Sequence, residues 1–159
     1  MKNAFKLLVF VIDKCNYRCE YCYNTFPRTS SILDLDKLYF FINDILIAKL
    51  HKDHIWLELI GGEPTLHPDL LNFCKKIKYF KNFKLKIFTN LSKDIDVYGQ
   101  ILQNHNAILI ASWHSLPYDS KNNNFCNKII QLTKMFKSQI EVRIMYEKNN
   151  SENAIAVAN

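Results

Sequence analysis

No stretch of the chain reaches the ~20 consecutive apolar residues that a membrane-spanning helix needs. The apolar run at residues 7–12 is too short for the core of a secretory signal, and it leads straight into cysteines. No membrane partner and a cytoplasmic location are therefore expected. Glycine is scarce, three in 159 residues, and two of the three are adjacent as Gly61-Gly62. No linker, low-complexity block or internal repeat divides the chain, so residues 1–159 read as one domain with its own core. A hydrophobic content of 48% and an aromatic content of 13% exclude a disordered composition. The five cysteines lack the spread of a secreted disulfide framework. Three crowd into residues 15–22, which points to metal or redox chemistry. Cys74 and Cys126 stand alone on apolar helical patterns and read as buried core thiols. The formal charge is +6, but the lysines are scattered, as in Lys75, Lys76, Lys78, Lys81, Lys84 and Lys86. No basic stripe with interleaved arginines is present, so a solvated basic surface is expected rather than a nucleic-acid partner.

Strand and helix patterns alternate. Residues 5–12, 55–60, 85–89, 107–112 and 140–145 read as strands, several of them apolar almost throughout. A helix is expected over residues 34–50, with Asp34 as N-cap and Leu35, Leu38, Tyr39, Ile42, Ile45 and Leu46 on its buried face. A second has Pro68 near its first turn and Leu71, Cys74, Ile77 and Tyr79 or Phe80 facing inward. A short third carries Ile95, Tyr98, Ile101 and Leu102; a fourth, after the polar loop 119–124, carries Phe125, Ile129, Leu132 and Phe136. Residues 151–159 read as the start of a fifth. Such alternation with short links implies an α/β fold around a parallel sheet. Five βα units are too few for a closed eight-fold barrel. An open, curved sheet with both faces covered is expected.

Two motifs carry the chemistry. Cys15-Asn-Tyr-Arg-Cys19-Glu-Tyr-Cys22 follows the first strand. Iron–sulfur clusters are held by thiolates, and one short loop can supply several. Three local thiolates on a four-iron cluster leave one iron without a protein ligand, as a catalytic metal site requires. Zinc remains the alternative, with a fourth ligand from His51, His54 or His67, although the spacing departs from paired zinc motifs. The second motif, Gly61-Gly62-Glu63-Pro64, ends the second strand. Adjacent glycines there permit positive φ or close approach to a ligand. Both motifs fall on the C-terminal edge of the sheet, where α/β proteins bind ligands. Trp113 and His114 lie at the same edge, after strand four.

Together these motifs resemble the radical S-adenosylmethionine (radical SAM) superfamily. Its signature is the spacing of Cys15, Cys19 and Cys22, with an aromatic residue, here Tyr21, just before the last. The resemblance extends over residues 5–146. It implies a partial, open (β/α) TIM-like barrel of about five parallel units, short of the ~6 usual in the family. It implies a [4Fe–4S] cluster on Cys15, Cys19 and Cys22, with S-adenosylmethionine (SAM) on the fourth iron. Gly61, Gly62 and Glu63 would receive the methionine ammonium and Tyr21 would lie near the adenine. Asn90 and Ser112 would hold the ribose or carboxylate, and Arg143 would pair with the carboxylate. The implied reaction is one-electron reduction of the cluster and cleavage of SAM to a 5′-deoxyadenosyl radical, which abstracts hydrogen from a small-molecule or peptide substrate. The electron would come from an external flavodoxin- or ferredoxin-like donor. The open edge at the fifth strand calls for cover by the tail, a partner subunit or a second copy. Two further classes stand beside this one: a cluster- and SAM-binding protein without turnover that needs a partner subunit, and a zinc or thiol-redox module.

Overall fold

The computed structural model describes residues 4–22, 31–49, 54–114 and 124–145. The expected residues 119–123 of the polar loop and the helix at 151–159 lie outside them. Five strands, β1 (Ala4–Ile12), β2 (His54–Gly61), β3 (Phe83–Thr89), β4 (Ala107–Trp113) and β5 (Ile140–Ile144), form one parallel sheet in the order 1-2-3-4-5. The helices between them are α1 (Leu35–Phe40), α2 (Leu70–Ile77), α3 (Ile95–Leu102) and α4 (Asn124–Phe136). Asp34 caps α1 as its sequence position suggests: its Oδ1 accepts from the backbone of Asp36 and Lys37 at 3.0 and 3.1 Å, worth about 1 kcal/mol. The single helix read over 34–50 is in fact two windings. After Phe40 the chain continues as a π-helix, Phe41–Lys49, which still turns Ile42 and Leu46 into the core.

Strand order that never reverses has a direct consequence. Crossovers between parallel strands are right-handed, so successive crossovers in one direction put every helix on the same face. That face is the core. Ile55, Leu57 and Leu59 of β2 and Phe83, Leu85 and Ile87 of β3 are buried there against Phe73, Ile77, Tyr98 and Ile101. The opposite face carries no helix among the described residues, which corrects the expectation that both faces are covered. Strand alternation places Leu8, Phe10, Trp56, Glu58, Ile60, Lys84, Lys86 and Phe88 on it, and Leu8 and Phe10 are 53% and 49% exposed. The apolar character of the strands therefore comes from two sources, a helix-covered core and an open concave wall.

Concavity is visible in contacts that skip a strand. Lys86 Nζ on β3 lies 3.1 Å from Glu141 Oε1 on β5, and the Arg143 guanidinium on β5 sits 4.7 Å from the centre of the Phe88 ring on β3. Both reach across β4, where Ile110 pairs in register with Phe88 on one side and Glu141 on the other. Long side chains two strands apart meet most readily where the sheet curls toward that face, as a barrel wall does. Three placements bear on the expected core. Cys126 is exposed on α4 rather than buried. Tyr79 is 77% exposed, beyond the end of α2, while Phe80 packs against the core. Cys74 is buried as expected, and desolvation pushes its thiol up to about 12, so it stays protonated.

Candidate active site at the C-terminal edge of the sheet

The cysteine loop leaves β1 at the C-terminal edge and is joined to the end of β2 by main-chain bonds. Gly62 N–H donates to Ile12 O at 2.7 Å and Glu63 N–H donates to Lys14 O at 2.9 Å. This approach explains both glycines. Gly61 has φ +155°, and a Cβ on it would run into the Ile12 carbonyl oxygen; a Cβ on Gly62 would run into the Lys14 carbonyl. Backbone atoms on both sides leave nothing flexible to yield. Gly62→Ala is expected to destabilise the cluster-free chain by about 3 kcal/mol in urea unfolding. Gly99→Ala on α3, where a Cβ would meet nothing, is expected to stabilise it by about 0.5–1 kcal/mol.

Glu63 is 1% exposed and its carboxylate turns under the ends of β2 and β3. Oε1 accepts from Thr65 N–H (3.1 Å), Thr65 Oγ1 (2.5 Å) and Thr89 Oγ1 (2.8 Å), and Oε2 accepts from Asn90 N–H at 2.7 Å. Burial pushes this carboxyl above its usual range, while those four donors pull the other way. Asn90 is thereby fixed, and its Nδ2 donates to Asn16 Oδ1 in the cysteine loop at 3.0 Å. The following residue, Leu91, has φ +57°. That turn is held from below by Lys128 of α4, whose ammonium donates to the carbonyls of Leu91 (2.9 Å) and Lys93 (2.5 Å). Desolvation lowers the Lys128 pKa, and the charge of Asp94 partly offsets this.

The three cysteines are half-buried. Burial raises the pKa of Cys19; a hydrogen bond from Tyr21 lowers it, and the neighbouring Cys15 and Cys22 thiolates raise it again. Tyr17 N–H points at Cys15 Sγ, 3.4 Å away. Trp113 is buried toward the helices, so the next residue, His114, faces the mouth. Its Nδ1 lies 2.6 Å from Tyr21 Oη and 3.6 Å from Cys19 Sγ.

All ten residues singled out in the sequence line one cavity of about 410 Å³: Cys15, Cys19, Tyr21, Cys22, Gly61, Gly62, Glu63, Asn90, Ser112 and Arg143. Ser112 and Arg143 are register partners on β4 and β5, and Arg143 is the cavity's cation, laid over Phe88. Thr89, His114, Tyr17 and Met145 also line it and were not among the ten. His114 had only its position after strand four as a signal; Asn16 and Thr65, which brace Asn90 and Glu63, had none.

The donor set fits a cluster better than a single ion. Three thiols line one cavity, and neither His54 nor His67 does. A cubane takes its thiolates on separate irons, so three of them suffice when the fourth iron stays open. The histidines considered for zinc are elsewhere. His54 opens β2 at the far edge of the sheet. His67 is buried with both ring nitrogens engaged, Nε2 with Leu33 O at 2.8 Å and Nδ1 accepting from Asp69 N–H at 3.1 Å. His51 lies outside the described residues.

The structure is thus a singly wound parallel half-barrel whose three thiols and Gly-Gly-Glu turn share one mouth. The chain matches the radical SAM superfamily over residues 9–119, more than half its length, and it belongs to that family. It is 32% identical over 89 residues to a GTP 3′,8-cyclase of Sulfurovum sp. (strain NBC37-1), covering 53% of this chain and 26% of that protein. It is 32% identical over 90 residues to an S-adenosylmethionine-dependent nucleotide dehydratase of Selenomonas ruminantium, covering 55% and 30%. Among solved structures it resembles BtrN in complex with AdoMet and 2-DOIA (TM-score 0.67, 19% identity, 87% of this chain and 56% of that one). It also resembles native anSMEcpe with bound AdoMet (TM-score 0.68, 18% identity, 98% and 48%). The chain thus spans under a third of these curated relatives and about half of these solved chains. The fold is the partial TIM-like barrel of the family, whose cofactors are a [4Fe–4S] cluster and SAM.

Proposed function

We propose that this chain forms the SAM-cleaving half of a radical enzyme, acting on a small-molecule or peptide substrate. Cys15, Cys19 and Cys22 would hold three irons of the cluster, leaving the fourth for the methionine end of SAM. When bound, the reduced cluster supplies the electron that cleaves SAM to methionine and a 5′-deoxyadenosyl radical. The observation that carries this reading is the shared cavity. Every residue assigned to cluster or SAM from the sequence lines it, although they come from five different strand ends.

The chain's own groups divide the work. Gly61 and Gly62 line the cavity, and their carbonyls would accept from the methionine ammonium. Glu63 braces the site through Thr65, Thr89 and Asn90 and lines the cavity beside the two glycines. Asn90 and Ser112 offer hydrogen bonds for ribose hydroxyls or a carboxylate. The Arg143 guanidinium, resting on Phe88, offers a fork that suits a carboxylate. Tyr21, one of several aromatic residues lining the cavity, would lie near the adenine. The open edge at β5 would be covered by the tail, a partner subunit or a second copy. Two curated relatives are named for reactions on nucleotides, which supports a small-molecule substrate. A flavodoxin- or ferredoxin-like donor in a reducing cytoplasm suits such a cluster.

The test is anaerobic reconstitution with iron and sulfide, reduction, addition of SAM and assay of 5′-deoxyadenosine. About four irons and four sulfides per chain with product formed is the expected result. A full cluster without product would favour a binding protein that needs a partner, and stoichiometric zinc without a cluster would refute the reading.

A further inference from the structure

His114 has more contacts with the cysteine loop than the ten-residue site requires. Its imidazole plane lies within 11° of the Tyr21 ring plane, with centroids 5.9 Å apart and the tyrosine hydroxyl between them, and it meets the Tyr17 ring edge-on (5.7 Å, 81°). Nδ1 shares a proton with Tyr21 Oη at 2.6 Å and stands 3.6 Å from Cys19 Sγ. Three alternate loop residues, Tyr17, Cys19 and Tyr21, thus converge on one side chain that a different strand supplies. The main-chain bonds to Gly62 and Glu63 and the Asn16–Asn90 bond hold the start of the loop to the ends of β2 and β3. His114 holds the stretch around Cys19 and Tyr21 to the end of β4.

We infer that His114 is a positioning residue that clasps the cysteine loop onto β4 and sets Cys19 for its iron. This rests on the cluster reading above. The clasp acts as a pair with Tyr21: the hydroxyl meets the imidazole at 2.6 Å, and the Tyr17 ring flanks the imidazole edge-on. Outer partners that orient a metal ligand are typically worth about 10–100-fold in metal affinity or activity. A clasp on one of three ligands should therefore govern how long the iron stays rather than whether the chain folds. Asparagine places a hydrogen-bonding atom at the same number of bonds from the backbone as Nδ1, so it can replace the hydrogen bond without the ring.

The experiment uses reconstituted protein challenged with an iron chelator, and follows the cluster absorbance with time. His114→Ala and Tyr21→Phe are each expected to lose iron roughly tenfold faster than the parent. The double variant should lose it no faster than His114→Ala, because both changes break one interaction. His114→Asn should recover most of the parental rate. Melting of the cluster-free proteins reports folding separately, and Tyr21→Phe, which deletes only an oxygen, should melt with the parent. The electron paramagnetic resonance line shape of the reduced cluster should shift in His114→Ala and return in His114→Asn. A parent that takes up no cluster removes the cluster reading and this inference with it. A parent that loads normally, with His114→Ala and Tyr21→Phe losing iron at the parental rate or with additive effects, overturns the inference alone.

Discussion

A Cys19→Ala chain is expected to keep its fold and lose its cluster, with 5′-deoxyadenosine formation falling by about 10³-fold or more. The magnitude follows from ligand count. Two thiolates leave two irons open, and a cluster held at two corners does not survive dilution from its iron source. Stability should hardly change, because Cys19 is a half-buried loop thiol outside the apolar core. The other cysteines are the controls. Cys126→Ala, at an exposed position on α4, should leave both cluster and stability at parental values. Cys74→Ala should cost about 1 kcal/mol of folding stability, through the small cavity it leaves between α2 and the sheet, while keeping the cluster. Iron and sulfide content beside melting temperature separates the three cases. A Cys19→Ala protein with a full cluster would refute its assignment as a ligand.

The second large effect lies beneath the site. Glu63→Leu is expected to lower folding stability by about 3 kcal/mol and to weaken SAM binding without touching a cysteine. Leucine fills the space but accepts nothing, so the buried N–H groups of Thr65 and Asn90 lose their partner, at about 1–3 kcal/mol each. The two threonine hydroxyls can turn elsewhere; the main-chain donors cannot. Relief from burying a carboxylate returns part of that cost. Asn90 then loses the bond that sets it against Asn16 and the cavity. Glu63→Gln isolates the charge. Burial outweighs the donors and raises the carboxyl's pKa on folding, so its contribution to stability is complete below the unfolded value. That contribution declines as pH rises through the folded value. The glutamine variant should lack this slope in melting temperature against pH, and an unchanged slope would show that Glu63 is not its source.

Much of this was legible in the sequence because the signals were local. Apolar runs placed the strands, and cysteine spacing with adjacent glycines marked the mouth. The order of those motifs along the chain then put both on one sheet edge. What remained hidden depended on curvature and side-chain direction. The apolar strands carry no sign that one face has no helix among the described residues; monotonic strand order decides that. The glycine pair suggests positive φ or room for a ligand; Gly61 does take φ +155°, and the close approach in the structure is by the Ile12 and Lys14 carbonyls. The Glu63 carboxylate, expected beside an ammonium, also braces Thr65, Thr89 and Asn90, which spacing alone does not show. His114 was visible only as a residue after a strand, since its partners are ninety-odd positions away in the cysteine loop. Cys126 fell on an apolar helical pattern but faces solvent, because α4 buries a narrower stripe, chiefly Phe125, Lys128 and Leu132.

The central claim is that the cluster on Cys15, Cys19 and Cys22 leaves one iron for SAM. Electron–nuclear double resonance on the reduced protein, with SAM labelled at its methionine nitrogen and carboxylate, tests it directly. Hyperfine coupling from both labels to the cluster spin is the expected result, and it should vanish in Cys19→Ala. A loaded, reduced cluster that shows no coupling to either label would contradict the claim.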